Sequence, residues 1–142
     1  MNASESRFSQ CLYFSTNALA RKIERLAQQS WKSVGLSPSH GYLLMTVVDE
    51  PGIQPGGLAN HLQLQPSTVT RLIEKLEQKK LVIRTTEGKI TNVYPTPKAK
   101  EMYPKMQACI DHFYKAHTAL MGKDDGRKIV LMLNKVSDKL IN

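Results

Sequence analysis

The sequence has few of the residues that build disulfide scaffolds or zinc ribbons. Among its 142 residues only Cys11 and Cys109 are cysteines. The two lie far apart and form no Cys-x-x-Cys pair, which argues against both kinds of framework. We therefore expect both thiols to be reduced.

Long apolar runs are also absent. The longest, such as residues 42–48, are far shorter than the roughly 20 residues that cross a bilayer as a helix. The N-terminus contains Glu5 and Arg7 among Ser and Asn and has no apolar segment behind a basic start, so it does not resemble a secretory signal. We expect a cytoplasmic protein with no membrane partner.

Enzyme signatures are missing as well. The sequence contains no Gly-x-Ser-x-Gly, His-Glu-x-x-His, P-loop or Gly-x-Gly-x-x-Gly motif. Cys109 and His112 share a helical face, but His117 falls elsewhere, so the three do not have the spacing of a metal site. We therefore predict no enzyme, no metal site and no cofactor.

Acidic residues are scarce relative to basic ones. Twenty Lys and Arg against twelve Asp and Glu give a formal net charge of +8, which favours a polyanionic partner such as nucleic acid. Residues 54–100 hold eight of the basic and three of the acidic residues, a net charge of +5, and the rest of the chain carries +3. The basic charge is thus concentrated in the middle of the chain.

Both ends of the chain have the periodicity of amphipathic helices. Apolar residues recur at three- and four-residue spacing from Phe8 up to Gly35, which predicts one long helix ended by that glycine. A second long helix is predicted over 96–120, and Asp124 and Asp125 can cap a last one. One chain of this size cannot easily bury the apolar faces of long terminal helices, so a partner subunit is a reasonable place for them.

The middle of the chain has the pattern of a helix-turn-helix. A helix is predicted to begin at Ser37-Pro38, and two short helices over 55–62 and 66–80 surround a Gln-Leu-Gln turn. In the last of these helices the apolar residues repeat at i, i+3, i+4 and i+7 and leave a face of hydroxyl and cationic side chains. Such a face suits a DNA major groove, because these groups bond phosphates and base edges. We call the helix predicted over 66–80 the reader helix.

A β-hairpin is predicted after the reader helix. Residues 81–84 and 90–94 are rich in β-branched and aromatic side chains, and residues 85–89 between them are interpreted as a connection that turns at Gly88. The pattern therefore predicts a small wing, with Lys89 at its tip.

Residues 58–84 closely resemble the winged helix-turn-helix of the MarR family of bacterial and archaeal transcription regulators. The family pattern has a Leu-Ala start, a Ser-Thr-Val-Thr-Arg-Leu reader and a Leu-Glu-x-Lys-x-Leu-Val-x-Arg exit, and this chain matches it at residues 58–59, 67–72 and 76–84. One departure concerns the wing, whose tip here is Thr-Thr-Glu-Gly-Lys instead of the Asp-x-Arg element that is usual in the family.

The resemblance implies a mainly α fold. It implies a single MarR-like domain over residues 1–142, with a winged helix-turn-helix and a small β-hairpin wing over 36–96. Residues 1–35 and 97–142 would form the long N- and C-terminal dimerisation helices. The partner would be a second copy of the chain.

The resemblance also implies a sequence-specific DNA-binding transcriptional regulator, a repressor released by a small-molecule effector. As a homodimer it would bind a pseudo-palindromic operator in double-stranded DNA, with the reader helix in the major groove and the wing at the adjacent minor groove. The residues assigned to DNA are Gln65, Pro66, Ser67, Thr68, Thr70, Arg71, Lys75, Arg84 and Lys89.

Several of these assignments have structural alternatives. The hydroxyls of Ser67, Thr68 and Thr70 could bond the local backbone near the helix start. Gln65 could be a poor helix cap instead of a base reader, and Arg84 could pair with a carboxylate instead of a phosphate. Arg71 and Lys75 could be the solvated side of a surface helix.

Two further sites follow from the resemblance. In this family the effector pocket usually lies between the dimer helices and the winged domain, which points to Trp31, Tyr42 and Met45 and to a small aromatic or lipophilic effector; ordinary core packing explains the same residues. Hydroperoxide-sensing members carry a reactive cysteine near the start of the first helix, where Cys11 lies. A redox-sensing regulator and a buried structural thiol are the two interpretations of Cys11.

A rival class is a winged-helix module that binds protein instead of DNA. The wing tip without arginine is the feature that keeps this alternative open. The two classes differ in salt dependence, because binding through several phosphate contacts weakens steeply with salt.

Overall fold

A computed structural model describes residues 1–140 of the chain. The fold is mainly helical with one two-stranded antiparallel sheet, as predicted. The helices and strands, in chain order, are α1 (Leu12–Trp31), α2 (Pro38–Asp49), α3 (Pro55–Leu62), α4 (Pro66–Gln78), β1 (Val82–Glu87), β2 (Ile90–Pro95), α5 (Pro97–Met121) and α6 (Lys123–Ser137). They form two compact units, Trp31–Cys109 and the remainder of the chain on either side.

The unit Trp31–Cys109 has a closed apolar core. Helices α2, α3 and α4 pack on one another and on the hairpin. The side chains that are fully or almost fully removed from solvent come from these elements, from the end of α1 and from α5, and the largest are Trp31, Leu43, Leu44, Leu58, Ile73, Leu76 and Met106. Their burial is the main favourable term for folding of this unit.

The helix starts in this unit follow from local sequence. Ser37 caps α2 by accepting a hydrogen bond from the His40 N–H at 3.3 Å, and Pro38 occupies the first turn. Thr96 does the same for α5 by accepting from the Ala99 N–H at 3.3 Å. Both predicted cap-and-proline starts are confirmed.

The hairpin is longer than the sequence pattern predicted. The register pairs Glu87 with Ile90, so the connection has two residues, Gly88 and Lys89, and the predicted five-residue connection over 85–89 is wrong. Residues 85 and 86 are threonines, whose β-branched side chains suit a strand. Gly88 adopts φ +64°, a conformation that glycine reaches without strain, and this allows the tight turn.

The other unit consists of Met1–Ser30 and residues 110–140. Helix α1 begins at Leu12 and not at Phe8, so the first predicted helix is shorter than expected. Helix α1 is followed by a short 3₁₀ turn that ends at Gly35, whose φ is 72°. Gly35 therefore ends this helical stretch, as predicted.

Helix α6 begins differently from the prediction. Its N-cap is Gly122, with no side-chain cap bond, and Asp124 and Asp125 lie in the first helical turn. The predicted aspartate cap is therefore wrong. The two carboxylates lie where the exposed N–H groups of the first turn favour negative charge.

The sequence division at residues 35 and 97 differs from the boundaries of the units. Residues 97–109 were assigned to the dimerisation helices, but they cluster with the unit Trp31–Cys109. Ala99, Met106 and Cys109 are buried there. The start of α5 thus completes the core of the winged part.

Candidate nucleic-acid interface

Helix α4, the reader helix, has two sharply different faces. Val69, Ile73 and Leu76 are between 0 and 1% exposed. The opposite face carries the exposed residues Ser67, Thr70, Arg71, Glu74 and Lys75. The predicted amphipathic helix is confirmed, and Arg71 and Lys75 are free of the core.

The turn before the reader helix is set by a left-handed residue. Gln63 ends α3 with φ 53°, and the next N–H, that of Leu64, donates to the Ala59 carbonyl at 3.1 Å. Gln65 then takes the N-cap position of α4 with no side-chain cap bond, and its side chain is exposed. The amide of Gln65 is thus left available at the start of the reader helix, and its role as a base reader stays a prediction.

The hydroxyls on the reader helix differ in how far they are engaged locally. Thr70 Oγ1 donates to the Pro66 carbonyl at 3.1 Å, which is the backbone alternative predicted for it. Thr68 is half-buried and its Oγ1 accepts from Arg71 Nη2 at 3.5 Å. Thr68 therefore helps to orient the Arg71 guanidinium. Ser67 is exposed, and its contact with DNA stays a prediction.

Arg84 has a carboxylate partner in the structure. Its Nη2 and Nε donate to Glu77 Oε1 and Oε2 at 2.7 and 3.1 Å. The hydrogen bond from Arg84 lowers the pKa of Glu77, and the same bond raises the pKa of Arg84. Of the two partners predicted for Arg84, the structure contains the carboxylate, whereas the sequence analysis assigned the residue to DNA.

The tip of the wing is exposed. Lys89 lies there beside Gly88, and Glu87 precedes the turn. The base of the wing is fixed to the loop after α2, because the Val93 N–H donates to the Ile53 carbonyl at 3.0 Å and the Gly52 N–H donates to the Val93 carbonyl at 2.8 Å. A firm base and an exposed tip suit a hairpin that reaches a surface outside the chain.

His40 borders the reader helix, and the sequence analysis did not place it in the candidate site. Its Nδ1 lies 2.6 Å from Ser37 Oγ. Burial lowers its pKa below 6.5, and the nearby positive charges of Lys75 and Lys79 lower it further. The three-residue spacing from the capping serine is the sequence signal that could have placed this imidazole.

The residues predicted for the effector pocket are packed together at the end of α1. Trp31 is 0% exposed and its ring meets that of Tyr42 edge-on, with centroids 5.7 Å apart. Met45 is also buried, so Tyr42 is the accessible member of the three. Among the described residues the buried Trp31 Nε1 has no hydrogen-bond partner. Buried donors normally have one.

The cysteines differ in environment. Cys11 is exposed in the single chain and lies just before α1. Cys109 is buried, with Sγ 3.6 Å from Ser33 Oγ. Redox sensing by Cys11 stays a prediction.

Residues 1–140 contain neither a metal-binding cluster nor a helix suited to a membrane. No group of three or more His, Cys, Asp or Glu side chains in this part of the chain could hold a metal ion. No helix within it is both long and apolar enough to cross a membrane.

The fold and the interface together define a class. A tri-helical core, an outward polar face on its last helix and a two-stranded wing that follows directly are the parts of a winged helix-turn-helix. Residues 34–89 match the sequence model of the MarR family. The predicted resemblance to the MarR family is confirmed over these residues.

Similarity extends over most of the chain. The HTH-type transcriptional regulator YybA of Bacillus subtilis is 23% identical over 121 residues, which cover 83% of this chain and 81% of YybA. A structure of the repressor CouR bound to p-coumaroyl-CoA has a TM-score of 0.84 at 18% identity, covering 96% of this chain and 98% of that one. A Staphylococcus aureus MepR–DNA complex has a TM-score of 0.77 at 17% identity, covering 92% and 98%.

Proposed function

We propose that the chain is a repressor that binds a pseudo-palindromic operator as a homodimer and is released by a small-molecule effector. The observation that carries this proposal is the reader helix, whose apolar side is seated in a closed core while Arg71 and Lys75 remain exposed. Cations and hydroxyls on one helix face match the phosphates and base edges of a major groove. MepR, which shares the fold, has been crystallised with DNA.

The homodimer is supported by the unit that contains α1 and α6. Leu19, Ile23, Phe113 and Leu133 help to line an apolar hollow of about 140 Å³ within it. Nδ1 of His117, which lies in the same hollow, is buried and has no hydrogen-bond partner among the described residues. An apolar hollow of this kind is suited to a second copy, which would cover it and supply the missing polar contact.

Effector control is supported by the unpaired Trp31 Nε1. A ligand with a hydrogen-bond acceptor and an aromatic or lipophilic body would satisfy that donor and pack on the exposed Tyr42 ring. CouR is a fold relative bound to p-coumaroyl-CoA. Such a ligand lowers the affinity for DNA only if it binds the DNA-incompetent form of the dimer more tightly than the DNA-competent form.

A repressor of this kind acts on DNA in the cytoplasm and catalyses no reaction. The family and the fold are those of transcription regulators. We include in the same proposal that the protein is cytoplasmic and that it is not an enzyme.

The test is a salt titration of binding to an operator selected from random duplexes. Wild-type protein should lose affinity steeply with salt, and Arg71→Ala should bind more weakly with a log–log slope smaller by roughly 0.9. Lys128→Ala, an exposed lysine on α6, is the matched control for loss of one positive charge. A flat salt response of the wild type, or equal effects of both variants, would contradict the proposal and favour the protein-binding module.

A further inference from the structure

One ion pair ties the wing to the reader helix. Arg84 on β1 donates two hydrogen bonds to the two carboxylate oxygens of Glu77, which lies in the last turns of α4. A fork of this kind between a planar guanidinium and a carboxylate fixes direction as well as distance. The pair therefore constrains the angle at which the strand leaves the helix.

Hydrogen bonds to the backbone hold the connection between these two elements. Lys80 adopts φ 61°, and the N–H of Leu81 donates to the Leu76 carbonyl at 2.9 Å, which ends the helix tightly. Thr96 Oγ1 donates to the Lys80 carbonyl at 2.9 Å. Beyond this turn the Arg84 side chain hydrogen-bonds β1 back to the helix, while Val93, its partner in the register, ties β2 to the loop after α2.

The same fork occupies one edge of the Arg84 guanidinium. Its Nε and Nη2 are both engaged by Glu77. The Arg84 and Glu77 side chains are 32% and 36% exposed, so the pair is only partly open to solvent. A phosphate on this edge of the guanidinium would have to displace a carboxylate that is already bound at two points.

We propose that Arg84 is a positioning residue: by holding Glu77 it sets the orientation of the wing, with Lys89 at its tip, relative to the reader helix. This inference rests on the proposed function, because it needs the wing and the reader helix to meet one duplex together. It replaces the phosphate contact that the sequence pattern suggested for Arg84.

The sign of the effect at Glu77 separates the two roles. If Arg84 is a phosphate ligand, Glu77→Gln frees it and removes a repelling charge, so operator affinity rises. If Arg84 is a positioning residue, Glu77→Gln weakens operator binding relative to Glu74→Gln by roughly fivefold, the scale of a well-formed surface ion pair. Glu74 is the matched control, since it is an exposed carboxylate on the same helix.

Charge reversal gives a second test of the positioning role of Arg84. The double variant Glu77→Arg with Arg84→Glu should recover most of the affinity lost by Arg84→Glu alone, because the fork is rebuilt in the opposite sense. The salt slope of Arg84→Gln should equal that of the wild type. A slope smaller by roughly 0.9, or no recovery in the double variant, would overturn the positioning role.

A measurement without DNA separates failure of this inference from failure of the proposed function. Hydrogen exchange of the amides over 82–95 in the free protein should be faster in Arg84→Gln than in the wild type, while the amides of α2 keep their protection. Unchanged exchange in the hairpin overturns the inference even if the wild type binds its operator. If the wild type binds no duplex but the exchange accelerates, the proposed function fails and the fork is retained as the link that orients the wing.

Discussion

The two units of this chain differ in how far their large apolar side chains are buried. In Trp31–Cys109 the large apolar side chains of the helices are removed from solvent, and ten of the largest in the molecule are less than 2% exposed. In the unit of α1 and α6, Ala27 is the buried hydrophobic residue among those described. Its exposed apolar residues include Leu12, Tyr114, Leu120, Val130, Leu131, Met132, Leu133 and Val136.

This difference in burial assigns folding stability to the winged unit and subunit association to the unit of α1 and α6. The winged unit has a core within one chain, and burial of that core contributes to its folding stability. The other unit presents amphipathic helices whose apolar sides remain in water, which is the state expected of one half of an intersubunit core. Substitutions should therefore act on stability in one unit and on association in the other.

The largest effect is expected on association. Leu133→Glu places a charge on the apolar face of α6, where Leu133 is 49% exposed in the single chain. Burying an unpaired charge is strongly unfavourable, so the dimer should dissociate. Analytical ultracentrifugation checks this, with Asn134→Glu on the adjacent exposed position as the control. If the Leu133→Glu variant remains a dimer, the difference inferred between the two units is wrong.

The next effect is on the core of the winged unit. A Cβ added at Gly41 would overlap the ring of the buried Trp31, whereas one added at Gly56 on α3 would meet nothing within 4 Å. Gly41→Ala should lower the free energy of unfolding by about 2–3 kcal/mol. Gly56→Ala should be neutral or raise it by up to about 1 kcal/mol.

Denaturant unfolding of both glycine variants measures these changes, and size-exclusion chromatography should show that both remain dimers. Equal stabilities of the two variants would contradict the packing described for Trp31. Dissociation of Gly41→Ala without loss of stability would show that the units are not separable in the way proposed.

A smaller effect is expected at the turn that follows the reader helix. Lys80 adopts φ 61°, which costs about 1 kcal/mol for a residue with a side chain. Lys80→Gly should therefore raise the midpoint of thermal unfolding, while Lys79→Gly, at φ −81°, should lower it. A lower midpoint for Lys80→Gly would contradict the left-handed turn.

The smallest effect is a pH dependence from His40. Its pKa is lowered in the folded chain, first by burial and then by Lys75 and Lys79. Below pH 6.5 the unfolded chain binds the proton more readily, so stability is complete above that pH and falls as the pH drops toward the folded pKa. His40→Gln should flatten this part of the stability profile. An identical profile in the variant would assign the pH dependence to other groups.

Local signals in the sequence predicted most of the fold. The starts of α2 and α5 depend on a hydroxyl cap and a proline that lie next to each other in the chain, so periodicity and capping located them. The extent of β1 was missed because Thr85 and Thr86 were interpreted as a turn, and their strand character depends on cross-strand pairing with Asn92 and Thr91.

The candidate site was predictable in outline and less so in detail. The polar face of the reader helix follows from residue spacing alone. The partner of Arg84 lies seven positions earlier on another element, and the environment of His40 depends on lysines of α4, so both require the tertiary structure. The residues assigned to DNA from Gln65 to Lys75, together with Lys89, stay predictions until a duplex is bound.

Methylation interference on a selected operator tests the central claim most directly. If the reader helices of a dimer enter two major grooves, methylation of guanine N7 should block binding at two clusters about one helical turn apart. Arg71→Ala should weaken both clusters, whereas Lys128→Ala should leave them intact. Interference confined to adenine N3 in the minor groove, or none at any guanine, would contradict the account.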